Sequence, residues 1–236
     1  MGPENNFSTG EKFAGPFFFS PMMDTTSPLD LPAQLREVKR MLRGVMSGPV
    51  SASMRQQGLG YKINFGVDQP RLITLAREME EFVTDAHALS LALWKEDIRE
   101  CRLLACIIMP PETFAEDMAA EWVLQLRYAE EAQALAMHLL SKVPYAADMA
   151  FRLIAAEIPL QRLLGWLVFG RLFAQHKAPA ERDNDEILDH LTAELHDAAS
   201  PLELRRTALN TLNKYMELGT REEAYGMRIL QALQNP

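Results

Sequence analysis

The sequence predicts an all-α protein built as a stack of short helix pairs. Apolar residues recur at helical spacing from residue 30 onward, and no alternating run of useful length interrupts them. The segments between the periodic stretches are only a few residues long, so consecutive helices must lie antiparallel as neighbours. Many short helices joined in this way make an array rather than a four-helix bundle.

The first helix is predicted from Leu31 to Met46, with Leu35, Val38, Leu42 and Val45 on one face. Ser47-Gly48-Pro49 ends it. A short helical turn at Ser51–Gln57 leads into a glycine-rich connection, Gly58 to Val67. Asp68 can cap the next helix, which has Pro70 in its first turn and runs to Val83. Further helices are predicted at Ala86–Leu93, Asp97–Met109, Pro111–Leu126, Tyr128–Ser141, Ala146–Ala156, Pro159–Gln175, Asn184–Asp197, Pro201–Leu218 and Arg221–Leu233. Early prolines mark several starts, and Ser200-Pro201-Leu202-Glu203 has the pattern of a capping box. Residues 1–29, rich in Gly, Pro, Ser and Phe without periodicity, read as a disordered or extension segment with alternative starts at Met22 or Met23. Residues 30–236 read as a single helical-repeat domain.

An internal echo supports the array. Ile98-Arg99-Glu100-Cys101-Arg102-Leu103-Leu104-Ala105 matches Ile158-Pro159-Leu160-Gln161-Arg162-Leu163-Leu164-Gly165 in register, and Glu203 to Leu209 is a looser copy. Each places a basic residue near a helix start, followed by small and apolar residues. Repeated helix pairs of this kind stack into an α-α superhelix of HEAT-like repeats.

Composition narrows the function classes. No apolar run is long enough to span a membrane; the richest stretch, Leu163 to Phe173, is short and interrupted by Arg171. The N-terminus lacks a charged start followed by an apolar core and cleavage site. Cys101 and Cys106 sit roughly 140° apart around one helix, so they cannot bridge and read as buried thiols of a reducing, cytoplasmic setting. His138, His190 and His196 fit no metal spacing, and neither metal nor organic cofactor is implied. A net charge of −8 argues against generic nucleic-acid affinity. Residues 31–62 nevertheless hold six Lys and Arg against Glu37 alone, so a basic N-terminal face on an acidic body is one reading and ordinary helical surface charge the other.

Four stretches resemble the DNA alkylation repair family of AlkD-like HEAT-repeat proteins. They are Phe65-Gly66-Val67-Asp68-Gln69-Pro70-Arg71-Leu72; Leu93-Trp94 with Arg99 to Met109; Glu121-Trp122-Val123 leading into Tyr128 to Leu140; and Glu157 to Phe173 with its internal arginine. Together they span residues 50–217, and their order and spacing carry the likeness. The resemblance implies a protein that holds DNA backbone, duplex, alkylated or branched, in a concave basic groove. Family glycosylases remove cationic alkylated purines without flipping the base into a pocket. Their W-D-x-x-D-type motif supplies an aromatic ring against the lesion nucleotide and an Asp that stabilises charge on the deoxyribose. On this chain the aromatic position falls on Tyr128 and the catalytic Asp on Ala132, which has no carboxylate. Glu131 is the neighbouring acid, about 100° around the helix. A second family aromatic falls near Thr211, and the phosphate-contacting arginine falls on Arg162. Excision is therefore expected to be weak or absent, with a non-catalytic DNA-structure binder or a HEAT-type protein-interaction scaffold as alternatives.

The candidate DNA-binding set is Arg162, Trp166, Arg102, Arg206 and Lys214, with Tyr128 and Glu131 as catalytic candidates. Trp166 lies at i+4 from Arg162, so guanidinium and indole can share a face and clamp a phosphate and sugar. Equally, Arg162 can pair with an acid such as Glu157 or Glu121 and tie adjacent repeats. Arg171, half a turn out of phase with Arg162, reads as a solubility or packing residue. Arg206, Asn210 and Lys214 form a further polar stripe, which can line the groove or simply face solvent.

Overall fold

A computed structural model of the chain describes residues 29–234. Residues 1–28 of the segment read as disordered or an extension, with the alternative starts at Met22 and Met23, lie outside the described residues. Twelve α-helices follow one another: α1 (Leu31–Gly44), α2 (Gly48–Gln56), α3 (Gln69–Glu78), α4 (Ala86–Trp94), α5 (Arg99–Ile108), α6 (Glu116–Leu124), α7 (Ala129–His138), α8 (Ala146–Ile154), α9 (Pro159–Ala174), α10 (Glu181–His196), α11 (Leu202–Met216) and α12 (Thr220–Gln234). No strand forms among the described residues; one isolated parallel bridge joins Ile63 to Ile98.

Local chemistry explains the starts. Asp30, Asp68 and Asp85 cap α1, α3 and α4 by accepting from the backbone N–H groups of Ala33, Arg71 and Ala88 at 2.8–2.9 Å. The capping box expected at Ser200 does not form: the Ser200 hydroxyl turns to the Glu194 carboxylate, and Pro201 takes the cap position of α11. Three predicted helices are shorter than periodicity suggests. Met79–Glu81, Pro111–Thr113 and Leu140–Lys142 tighten into 3₁₀ turns. At Pro111 the reason is visible in Phe114, whose extended backbone carries its buried ring edge-on to Trp122 at 5.1 Å.

Helices α3, α5, α7, α9 and α11 pack side by side in chain order as one row. Helices α4, α8 and α10 lie behind α5, α9 and α11, and α12 closes the end against α11 and α10. In the back row α6 stacks Trp122 flat on Trp94 of α4, with ring centroids 4.1 Å apart. This alternation of front and back helices is an α-α superhelix of HEAT-like repeats.

The apolar α9 is its centre, touching α7, α8 and α11 and burying Leu164, Trp166, Val168, Phe169 and Phe173. It approaches α8 so closely that a Cβ on Gly165 would stand 2.9 Å from the Ile154 backbone nitrogen.

The Gly58–Val67 connection is bound down across the starts of α5 and α7. Glu100, wholly buried, accepts from the backbone N–H groups of Phe65 and Val67 at 3.0 and 3.2 Å. Gly66 turns there with φ +72°, and a side chain would collide with the Ser47 carbonyl oxygen.

Candidate nucleic-acid interface

The arginine echo has a structural meaning. Arg102 and Arg162 each stand four residues beyond the residue that caps their helix, Ile98 and Ile158. Each guanidinium reaches back to carbonyls at the end of the preceding helix and across to an acid of the next repeat. Arg102 donates to the Trp94 carbonyl at 3.1 Å, the Gln125 carbonyl at 2.8 Å and the Glu131 carboxylate at 2.5 and 3.2 Å. Its guanidinium carbon also lies 3.8 Å from the centroid of the Trp94 ring. Arg162 donates to the Ala156 and Glu157 carbonyls at 3.2 and 2.9 Å and to Glu194 at 2.8 Å. A cation at helix-terminal carbonyls is favourable twice, through hydrogen bonds and through the helix dipole. Both arginines therefore lace repeats together, and their donors are spent inside the protein. Of the two roles open for Arg162, the structure draws the inter-repeat tie. Its acid is Glu194, neither Glu157 nor Glu121.

Trp166 is fully buried beneath Thr211, which donates to the Trp166 backbone carbonyl at 2.8 Å. It shares a helix with Arg162 but offers no surface to a nucleotide, so the expected phosphate-and-sugar clamp does not assemble. The reason is the uniformly apolar surface of α9, which packs on three sides.

The catalytic candidates enter the same network. Glu131 has no exposed surface and accepts from Arg102, from the Tyr61 hydroxyl at 3.0 Å and from the Arg127 backbone N–H at 2.8 Å. With its lone pairs used inside a closed site, it cannot approach a deoxyribose in this arrangement. Tyr128 caps α7, and its hydroxyl accepts from the Gly60 N–H at 2.9 Å. Its ring lies 4.6 Å from that of Tyr61, and the Arg127 guanidinium sits over both rings. Burial, first, and the Glu131 charge, second, hold the Tyr61 hydroxyl well above its ordinary pKa. Ala132 is fully buried and stands four residues beyond its cap, Tyr128, where α5 and α9 place arginine. The residue at that place in α11, whose cap is Pro201, is Arg205. Arg206 is thereby released to solvent.

What remains open is the front face of the row. On α7 it carries Glu130, Gln133 and Met137; on α9, Leu167, Arg171 and Ala174; on α11, Glu203, Arg206 and Asn210. Gln133 reaches Glu203 at 3.3 Å across the intervening α9, and Gln69 of α3 reaches His138 of α7 at 3.1 Å across α5. Side chains two helices apart thus meet, so the face is a narrow groove. Arg171 and Lys142 flank His138 closely enough that, after burial, their charges depress its pKa. Arg171, Lys142 and Arg206 are exposed and form no ion pair among the described residues, whereas Lys214 is held by Glu217 at 2.8 Å. Arg171, read from the sequence as a solubility or packing residue, is exposed on this face. It shares a stripe with Leu167 and Ala174, spaced as an open helix face.

Among the described residues no group of three or more His, Cys, Asp or Glu is arranged to hold a metal ion. No helix among them is long and apolar enough to cross a membrane.

Comparison with known proteins agrees with this architecture. No curated protein matches the chain in sequence. A solved structure superposes with a TM-score of 0.73 at 18% identity, covering 84% of this chain and 83% of that one. It represents a protein family described as new, related to the HEAT-like repeat DNA glycosylases, with affinity for branched DNA structures. At that identity the likeness establishes the HEAT-like fold. The family model described as DNA alkylation repair enzyme matches residues 50–201, the span that holds the arginine ties, Tyr128 and the groove from α3 to α9. The chain therefore belongs to the DNA alkylation repair enzyme family.

Proposed function

We propose that this protein binds the backbone of duplex or branched DNA along the groove of α7, α9 and α11, and excises alkylated purines weakly or not at all. The observation that carries the reading is how the cations divide. Arg102 and Arg162 are consumed as inter-repeat ties, while Arg171, Lys142 and Arg206 stay exposed on the front row and its edge. Exposed cations along a groove suit phosphate, which positions DNA without reading sequence. The weakness of excision follows from Ala132 at the expected carboxylate position and from Glu131 being sealed in its network. Affinity for branched DNA in the structurally similar protein supports branched DNA as a partner here. The buried thiols Cys101 and Cys106 suit a reducing, cytoplasmic setting; burial pushes Cys101 up to about 12.

Binding to a duplex and to a four-way junction, measured across a salt titration, tests the reading. The expected result is affinity that falls steeply as salt rises, with little or no release of 7-methylpurines. Absence of binding to either DNA at low salt would sink it. It would favour a protein-interaction scaffold, a role to which the exposed Leu124, Ile158 and Leu202 beside the starts of α7, α9 and α11 are suited.

A further inference from the structure

A cavity of about 170 Å³ opens on the front row between α3, α5 and α7. Its floor is apolar: Leu72, Leu103, Ile107 and Ala134. Gln69, Gln133 and the Arg99–Glu130 ion pair make its rim. The cavity matches the size at which a protein interior accepts a benzene-sized ring (~150 Å³). None of the candidate site residues predicted from the sequence lines it.

The ion pair is asymmetric. Arg99 is nearly buried and spent: it donates to the Val67 carbonyl at 2.8 Å, to Glu100 at 3.2 Å and to Glu130 at 2.7–3.0 Å. The Glu130 side chain keeps 21% of its surface, against 7% for Arg99, so the acid is the partner that faces the opening. A carboxylate offers about four acceptor positions; Arg99 touches both oxygens of this one, through Nε and Nη2, and leaves the lone pairs turned away from the guanidinium. Arg99 therefore holds the Glu130 carboxylate in one orientation, with acceptor capacity left toward the cavity. The exposed amide of Gln133, one turn further along α7, donates one N–H to Glu203 at 3.3 Å and keeps its second N–H and its carbonyl oxygen beside the rim.

We infer that this cavity receives an unpaired nucleobase of single-ring size that carries an amino group, with cytosine the best fit. The ring would lie on Leu72, Leu103 and Ile107, its exocyclic amine would donate to Glu130, and the Gln133 amide would satisfy its ring nitrogen or carbonyl. Thymine would set a carbonyl oxygen against the same carboxylate and is disfavoured. Branched and bulged DNA presents such bases without the cost of unpairing them. The inference rests on the DNA-binding reading above and gives it a base-selective element, where the family resemblance implied no base pocket at all.

The test compares four DNAs: a full duplex, and the same duplex with one unpaired cytosine, one unpaired thymine or one unpaired abasic residue. The cytosine bulge should bind roughly tenfold more tightly than the thymine and abasic bulges, the scale of one specific base contact. Glu130→Ala should erase that preference, read as the ratio of cytosine-bulge to abasic-bulge affinity, so that any general change in backbone affinity from the lost charge cancels. Ile107→Phe, which fills the floor without touching the ion pair, should do the same and covers the case in which Glu130→Ala loosens the fold. Equal affinity for the cytosine, thymine and abasic bulges overturns the inference while leaving backbone binding intact. Binding to none of the four DNAs overturns the DNA-binding reading and the inference with it.

Discussion

Arg102 and Glu131 face one another across the joint between α5 and α7 in a two-point ion pair, with contacts of 2.5 and 3.2 Å, and neither side chain is more than 7% exposed. Buried pairs of this kind are costly to break from one side, because the surviving charge is left without a partner or water. Glu131→Gln should therefore destabilise the protein by about 3–5 kcal/mol. The double change Arg102→Met, Glu131→Leu should not restore the parent stability, because it leaves the Trp94 and Gln125 carbonyls, the Tyr61 hydroxyl and the Arg127 N–H without partners. Denaturant unfolding of the three variants checks this. A Glu131→Gln protein as stable as the parent would show that the network is not structural.

Gly165 should tolerate no side chain. An added Cβ would meet the Ile154 backbone nitrogen at 2.9 Å and its Cγ2 at 2.8 Å, and backbone cannot swing aside as a flexible side chain can. Gly165→Ala gains helix propensity yet is expected to lose about 1–3 kcal/mol net through overpacking at the α8–α9 crossing. Thermal unfolding reads the sign directly.

His176 ends α9 in the left-handed conformation, with φ 56°. Its N–H donates to the Phe173 carbonyl at 2.8 Å and the Lys177 N–H to the Leu172 carbonyl at 3.0 Å, the paired bonds of a Schellman motif. Glycine adopts that φ without steric cost, and His176 is exposed with no packing to lose. His176→Gly should stabilise the protein by about 0.5–1 kcal/mol in denaturant melts.

These positions also show what a sequence can and cannot disclose. All twelve helices are legible, because burying one face of a helix enforces its periodicity. The 3₁₀ turns at Met79, Pro111 and Leu140 are not, since apolar spacing continues through them while the backbone tightens. Arg162 stands out as a cation in an apolar helix, but its partner lies 32 residues away in α10, and long-range pairing leaves no local trace. Trp166 keeps its i+4 relation to Arg162 in any α-helix, yet only packing on every side of α9 decides that the indole is buried. The capping-box pattern at Ser200 fails for a similar reason: Glu194 offers a nearer tertiary partner.

His138 supplies a pH dependence. Burial and then the charges of Lys142 and Arg171 lower its pKa in the folded protein. The unfolded chain therefore takes up this proton first. Above the unfolded value of about 6.5 the group costs nothing, and stability falls as pH drops below it until the folded site also protonates. His138→Gln should flatten that part of the stability–pH curve. An unchanged slope between about pH 7 and 5 would show that His138 is not the group responsible.

Arg171 and Arg206 should separate from Arg162 by the kind of defect each produces. The first two are exposed and unpaired among the described residues, so Arg171→Gln and Arg206→Gln should leave unfolding within about 0.5 kcal/mol of the parent. Each should lower the slope of log affinity against log salt by about one, the signature of one lost phosphate contact. Arg162→Gln removes the partner of nearly buried Glu194 and the donors to the Ala156 and Glu157 carbonyls. It should destabilise the protein by several kcal/mol, an effect expected of a partly buried charge left alone. Its salt slope, measured on protein that remains folded, should stay near the parent value. A reversed result, with Arg162→Gln stable and its salt slope reduced, would move the phosphate contact to the helix starts and away from the front groove.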